Sequence, residues 1–128
     1  MKLYSWNVNG IRAVEKKGFL DWLDQEQPEI VCIQETKAHV EQLSSSLIED
    51  HGYYTYWHSA QKKGYSSVAT FCKKEPHNVQ VGLGIDRFDA EGRVLITEHD
   101  NFFLYNIYFP NGQKDDIRLN YKLDFYDE

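Results

Sequence analysis

Short apolar runs, each closed by a turn signal, recur along this chain. The longest is Phe102-Phe103-Leu104-Tyr105-Asn106-Ile107-Tyr108-Phe109, which falls into Pro110-Asn111-Gly112. An apolar run of that length reads as a buried strand, and Pro-Asn-Gly is strong turn chemistry. Lys2–Trp6, Ile30–Gln34, Tyr53–Ser59, Ser67–Lys73, Val79–Val81 and Val94–Glu98 read as further strands. His99-Asp100-Asn101 is a tight link, so the last two strands are expected to form an antiparallel hairpin. Helical periodicity appears over Gly10–Glu26, where Ile11, Val14, Leu20 and Leu23 share a stripe. Gly18 interrupts it and Pro28 follows its end. Val40–Glu49, with Leu43 and Leu47 four apart, predicts a second amphipathic helix. A third begins at Ile117 and reaches Glu128 without a stop signal.

The β-α-β-α opening predicts a sheet with helices packed on it, an α/β (α+β) fold. In the last strand Phe103, Tyr105 and Ile107 point one way, and Phe102, Leu104 and Tyr108 the other. A sheet apolar on both faces must be covered twice. The helices suffice for one face, so the second is expected to lie open.

Composition narrows the class. The chain has 128 residues, 41% hydrophobic and 15% aromatic, which suits one globular domain. No stretch approaches a membrane span, and Met1-Lys2 runs almost directly into a strand, without the pattern of a signal peptide. Cys32 and Cys72 sit inside apolar strands and read as buried thiols, so the expected compartment is the cytoplasm. The net charge of −6 argues against a general nucleic-acid coat. Local basic groups remain, with Arg12, Lys16 and Lys17 after the first strand and Lys37, Lys62-Lys63 and Lys73-Lys74 beyond. Each pair taken alone reads as a solvated face.

The candidate chemistry lies at strand ends, where α/β sheets build their sites. Asn7 and Glu35 end the first two strands. If those strands are parallel neighbours, an amide oxygen and a carboxylate emerge together, a hard pair suited to Mg²⁺. Alone, each is as well explained by a turn cap and an exposed acid. Tyr65 and Ser66 follow Gly64 at a strand entry, where hydroxyls and backbone N–H groups suit a phosphate. Arg93 follows Glu91-Gly92, most simply a turn with an exposed ion pair. Tyr108 and Asn111 are placed together by the Pro-Asn-Gly loop. The five histidines have no ligand spacing, and neither a P-loop nor a Gly-x-Ser-x-Gly motif occurs.

Taken in order, Trp6-Asn7-Val8-Asn9-Gly10, Ile33-Gln34-Glu35-Thr36-Lys37, Gly64-Tyr65-Ser66, Glu91-Gly92-Arg93 and Tyr108-Phe109-Pro110-Asn111-Gly112 resemble exodeoxyribonuclease III and the abasic-site endonucleases. These belong to the endonuclease/exonuclease/phosphatase superfamily. The resemblance implies the N-terminal half of a four-layer α/β/β/α sandwich with mixed sheets, spanning 1–128 and ending in a helix. It implies a DNA-repair nuclease that cuts 5′ to abasic sites in double-stranded DNA and trims 3′ ends, using Mg²⁺ or Mn²⁺. Asn7 and Glu35 become metal residues, and Tyr108 and Asn111 catalytic ones. Asn9, Arg12, Lys37, Tyr65, Ser66 and Arg93 lie toward the substrate.

Two departures qualify the resemblance. Ser67 stands where the family has glycine, and its Cβ is expected to crowd either the strand entry or the DNA-facing loop. The family's later Gly-Asp-x-Asn and Ser-Asp-His motifs do not occur in these residues. This segment alone is therefore expected to be a poor nuclease, completed by a second half or a second copy. Two other readings stand beside it: an inositol-phosphate or lipid phosphodiesterase of the same superfamily, and a non-catalytic half-domain that assembles with a partner.

Overall fold

A computed structural model describes residues 1–48 and 52–110. The element order is β1 (Leu3–Asn7), α1 (Ile11–Lys16), α2 (Phe19–Glu26), β2 (Ile30–Gln34), α3 (Ser45–Ile48), β3 (Tyr54–His58), β4 (Val68–Cys72), β5 (Asn78–Val81), α4 (Asp86–Asp89), β6 (Val94–Glu98) and β7 (Phe103–Ile107). A mixed sheet runs β1-β2-β4-β3, with β1 and β2 parallel and the other pairs antiparallel. A second, antiparallel sheet runs β5-β6-β7. The hairpin predicted around His99–Asn101 is present, closed by His99 N–H donating to the Phe102 carbonyl at 2.8 Å.

Residue parity assigns the faces of the first sheet. Val31, Ile33, Ala69 and Phe71 point to the helices, where Ile11, Phe19, Leu23 and Leu47 bury against them. Gly18, with φ of 99°, makes the left-handed turn between α1 and α2 that only glycine adopts without cost. The opposite face carries Ile30, Cys32 and Cys72, packed against Phe102 and Leu104. Both cysteines are buried and unpaired with one another, and burial pushes each thiol up to about 12.

That packing corrects the expectation of an open face on the first sheet. The second sheet covers it, so the chain supplies its own second β-layer. The uncovered apolar surface lies one layer out, where Phe103 and Tyr105 are 62% and 58% exposed. The single turn α4, which the sequence reading missed, covers part of that face with Phe88 against Val94, Ile96 and Ile107. The Asp89 carboxylate holds that turn by accepting from Leu83, Gly84 and Ile85 N–H at 2.8–3.1 Å.

The predicted helix over Val40–Glu49 is also corrected. Among the described residues of that segment, Val40–Gln42 is a 3-10 turn, Leu43 is extended, and only Ser45–Ile48 is α-helical. The His39 N–H is capped by the Gln42 side chain at 2.9 Å, which fixes the start of the turn, and Leu43 in extended backbone ends it. The helix expected from Ile117 lies outside the described residues. Among those described, no helix is long and apolar enough to cross a membrane.

Gly92 shows how tightly the two sheets meet. A Cβ there would lie 2.5 Å from Ala60 N and 2.6 Å from the His58 carbonyl oxygen. Gly92→Ala should therefore lower stability by about 1–3 kcal/mol, the usual cost of overpacking. Urea unfolding should show a lower midpoint with an unchanged slope. An unchanged midpoint would mean that the Ala60 segment yields freely.

Candidate active site

Three loops converge at one edge of the molecule because the strand ladder continues past the strand ends. Gly10 N–H donates to the Glu35 carbonyl at 2.8 Å, and Ile11 N–H to the Thr36 carbonyl at 2.9 Å. On the other side Thr36 and Lys37 N–H donate to the Ser67 and Ser66 carbonyls at 3.1 and 2.9 Å. These connections demand left-handed backbone at Asn9, Glu35, Lys37, Ser66 and Ser67, with φ between 49° and 77°. Non-glycine residues rarely adopt it, and such strain gathers at functional sites.

The left-handed turn at Glu35 swings its carboxylate toward the end of β1. Asn7 Nδ2 donates to Glu35 Oε1 at 3.0 Å, while Asn7 Oδ1 accepts from Asn9 N–H at 3.1 Å. Lys37 Nζ lies 3.3 Å from Glu35 Oε2 and donates to Asn9 Oδ1 at 2.5 Å. The Tyr108 side chain, arriving from the second sheet, lies near the same Glu35 carboxylate, close enough for each to shift the other's pKa. Asn7, Asn9, Glu35, Lys37 and Tyr108 thus form one cluster at the junction of the sheets. Asn111 lies outside the described residues.

The electrostatics follow from those contacts. Burial acts to raise the Glu35 pKa, but the donors on Asn7 and Lys37, the nearby Tyr108 hydroxyl and the Lys37 charge outweigh it. The net result is a carboxyl below its ordinary value. Tyr108 is shifted upward, first by burial and then by the Glu35 charge beside it. Its phenol is therefore a proton donor at neutral pH.

Next to this cluster lies an open pocket of about 580 Å³ whose lining includes Arg12, Lys16, Lys17, Lys37 and Gly64. The lysines and the arginine that read singly as solvated faces here share one concavity. Arg12 Nη2 donates to the Lys37 carbonyl at 3.4 Å. The Thr36 hydroxyl at its margin is buried without a hydrogen-bond partner among the described residues.

Two expected substrate contacts are placed differently. Arg93 is 2% exposed, not a solvent-facing turn residue. Its guanidinium donates to Glu91 Oε1 at 2.8 Å, to the Tyr108 carbonyl at 3.0 Å and to the Tyr65 hydroxyl at 3.2 Å. It also lies 4.9 Å from the centre of the Tyr108 ring. Arg93 therefore supports Tyr108 from beneath and does not face a ligand. Ser66 is likewise 2% exposed, with a hydroxyl that finds no partner among the described residues. Tyr65 is half-buried, its hydroxyl donating to Glu91 Oε1 at 3.0 Å. Glu91, read as part of an exposed pair, is the acceptor that anchors both.

Ser67 answers the concern about its Cβ. Its hydroxyl accepts from Ala60 N–H at 2.8 Å and donates to the Tyr65 carbonyl at 3.0 Å. The side chain fills a structural role that glycine would leave to backbone, although a φ of 77° explains why glycine suits the position.

Sequence reasoning missed Gln34 and Asn106. Asn106 is buried between the sheets and bonded to Gln34, Ala69 and Thr70. An asparagine at the inward parity of an apolar strand was the available signal.

The donor set fits a hard divalent cation. Asn7 and Glu35 bring an amide oxygen and one ionised carboxylate to adjacent strand ends, and Mg²⁺ commonly takes only one or two carboxylates. Among the described residues no group of three or more His, Cys, Asp or Glu converges. Other ligands to such an ion would be water and substrate oxygen.

Comparison with known proteins follows the same line. The profile described as the Endonuclease/Exonuclease/phosphatase family matches residues 4–128. The chain is 43% identical over 126 residues to an exodeoxyribonuclease of Bacillus subtilis, covering 98% of this chain and 49% of that protein. It is 44% identical over 124 residues to the DNA repair nuclease APEX1 of Danio rerio, covering 95% and 40% respectively. Among solved structures, an AP endonuclease from Archaeoglobus fulgidus superposes with a TM-score of 0.81 at 28% identity, over 98% of this chain and 47% of the other. The chain thus spans about half the length of the relatives it matches.

A depressed carboxyl contributes stability above its ordinary value of 4.5, and loses it as pH falls through the lowered value. Lys37→Met removes one donor and the nearest positive charge. Carboxyl-carbon NMR should then show Glu35 titrating nearer 4.5. An unmoved titration would show that Lys37 is not coupled to it.

Proposed function

The chain belongs to the endonuclease/exonuclease/phosphatase family, and from that premise we propose that it carries half of the active site of a metal-dependent DNA-repair nuclease. The reaction is hydrolysis of a phosphodiester, 5′ to an abasic site or at a 3′ end of double-stranded DNA. The observation that carries this reading is the Asn7–Glu35–Lys37–Tyr108 cluster beside a basic pocket.

Each residue has a role that its placement supports. The family depends in general on a divalent ion, and Asn7 and Glu35 would hold Mg²⁺, or Mn²⁺ in its place. When bound, that ion neutralises charge on the phosphate undergoing attack. Tyr108 keeps its proton at neutral pH and offers it as a hydrogen bond where negative charge develops on a phosphate oxygen. Lys37 holds the Glu35 carboxylate in its ionised form. Arg12, Lys16 and Lys17 meet the neighbouring backbone phosphates, a local basic surface on an acidic chain. Arg93, through Glu91 and Tyr65, fixes the ring and backbone of Tyr108.

The nucleophilic water still requires a base and positioning groups, which the resemblance assigns to motifs absent from this sequence. General acid–base catalysis is typically worth ~10²–10⁴-fold. These residues by themselves should therefore cut abasic DNA by about that factor more slowly than a chimera completed with the second half of the Bacillus subtilis exodeoxyribonuclease. Ordinary turnover by the segment alone, or cleavage indifferent to EDTA in the chimera, would overturn the reading.

Glu35→Ala in that chimera separates binding from folding. The Glu35 side chain is only 19% exposed but sits in a loop beyond the strand ends and outside the apolar core, so the melting temperature should move by only a few degrees. The Mg²⁺ concentration for half-maximal cleavage should rise about tenfold or more, as for loss of a contact to a charged group. A large fall in melting temperature with unchanged Mg²⁺ dependence would refute the metal assignment.

A further inference from the structure

The proposed site is divided between two sheets. Asn7 and Glu35 stand at the ends of β1 and β2, whereas Tyr108 follows β7. Apolar side chains between stacked sheets resist separation but resist sliding only weakly, because the hydrophobic effect has no direction. Something directional must set the offset, since the approach of Tyr108 to Glu35 depends on how the second sheet sits over the first.

One buried group has that character. Asn106, 2% exposed, projects from β7 onto the seam between β2 and β4. Its Nδ2 donates to the Ala69 carbonyl at 2.7 Å and the Thr70 hydroxyl at 3.0 Å, with the Ile33 carbonyl at 3.4 Å. Its Oδ1 accepts from Gln34 Nε2 at 2.8 Å. Gln34 is in turn bonded to Ser5 of β1, its Nε2 donating to Ser5 Oγ at 3.2 Å. The network therefore spans β1, β2, β4 and β7. Gln34 immediately precedes Glu35, and Asn106 stands two residues before Tyr108 on the same face of the chain. Sliding β7 by one residue would leave the amide unpaired in a buried setting, which is costly.

We infer that Asn106 and Gln34 are positioning residues, whose buried hydrogen-bond network fixes the offset of the second sheet over the first and so holds Tyr108 against Glu35. The inference rests on the functional reading above only for its catalytic consequence. The structural consequence stands apart from it.

The test compares Asn106→Ala, Gln34→Met and the control Leu104→Ala in the whole chain. Leu104 faces the same inter-sheet core from the same strand but lies outside the network. Gln34→Met keeps nearly the same volume and leaves Asn106 its β4 partners, so it remains informative should Asn106→Ala fail to fold. The primary readout is the NMR contact between the Tyr108 ring and the Glu35 side chain. It should be lost or strongly weakened in Gln34→Met and Asn106→Ala and kept in Leu104→Ala. In the completed chimera, both network variants should lower kcat by about tenfold with KM within about twofold. Adding Tyr108→Phe should cost little more, as expected for coupled residues. A retained contact in folded Gln34→Met, or its equal loss in Leu104→Ala, would overturn the inference. A chimera without nuclease activity would sink the functional reading, while the NMR contact would still decide the positioning role.

Discussion

The arrangement depends on hydrogen bonds made just beyond the ends of the strands. Glu35 and Thr36 accept from one loop while Thr36 and Lys37 donate to another, so the segment after β2 is held from both sides. A hydrogen bond nets about 1 kcal/mol, and a left-handed non-glycine residue costs about as much or more. The bonds therefore do not hold these loops unaided. Val8, Ile11, Ala38 and Val68 lie buried around them, and that burial anchors the segment on which the strained residues sit. The strain has a direction: it turns Glu35 out of the strand path and toward Asn7.

A second dependence runs through charge. Glu35 gathers Asn7 and Lys37 and stands near Tyr108, and Glu91 gathers Arg93 and Tyr65. The two acids are almost equally exposed, at 19% and 18% of their side chains, but the second is paired with an almost wholly buried arginine. Glu35 gathers its donors at the strand ends, whereas Glu91 braces Arg93 and Tyr65. The difference arises from their partners rather than from depth, since both residue types are the same and both sit in turns beside strands.

Much of this was legible in the chain. The strands were readable because each is a short apolar run, and the polar residues closing them, Asn7, Glu35 and Tyr108, marked the edge where they meet. Val40–Glu49 misled because Leu43 and Leu47 satisfy helical spacing, while the serines between them favour caps over helix interiors. Arg93 misled for a different reason. A lone arginine after Glu-Gly reads as surface, and its burial depends on Tyr65 and Tyr108 arriving from two other segments. Asn106 was hidden by its own strand, since nothing local tells that an amide will meet the carbonyls of another sheet. Non-local satisfaction of polar groups is the part of the design that pattern reading reaches last.

The division of the site between two sheets also shapes how it comes into being. Its first residue lies at position 7 and its last described one at 108, so no local fragment contains it. Chain closure over such distances precedes any reward from the contacts, which slows folding relative to helical domains. On a ribosome β1 emerges long before β7, and must wait as an unpaired edge strand until β2 is made. Among the described residues β1 and β7 still end their sheets, beside a groove of about 310 Å³ between them. Such edges are templates for further strands, and for misassembly when those strands are late. The chemistry would thus be the last property the nascent protein acquires, and the first it forfeits when the sheets part.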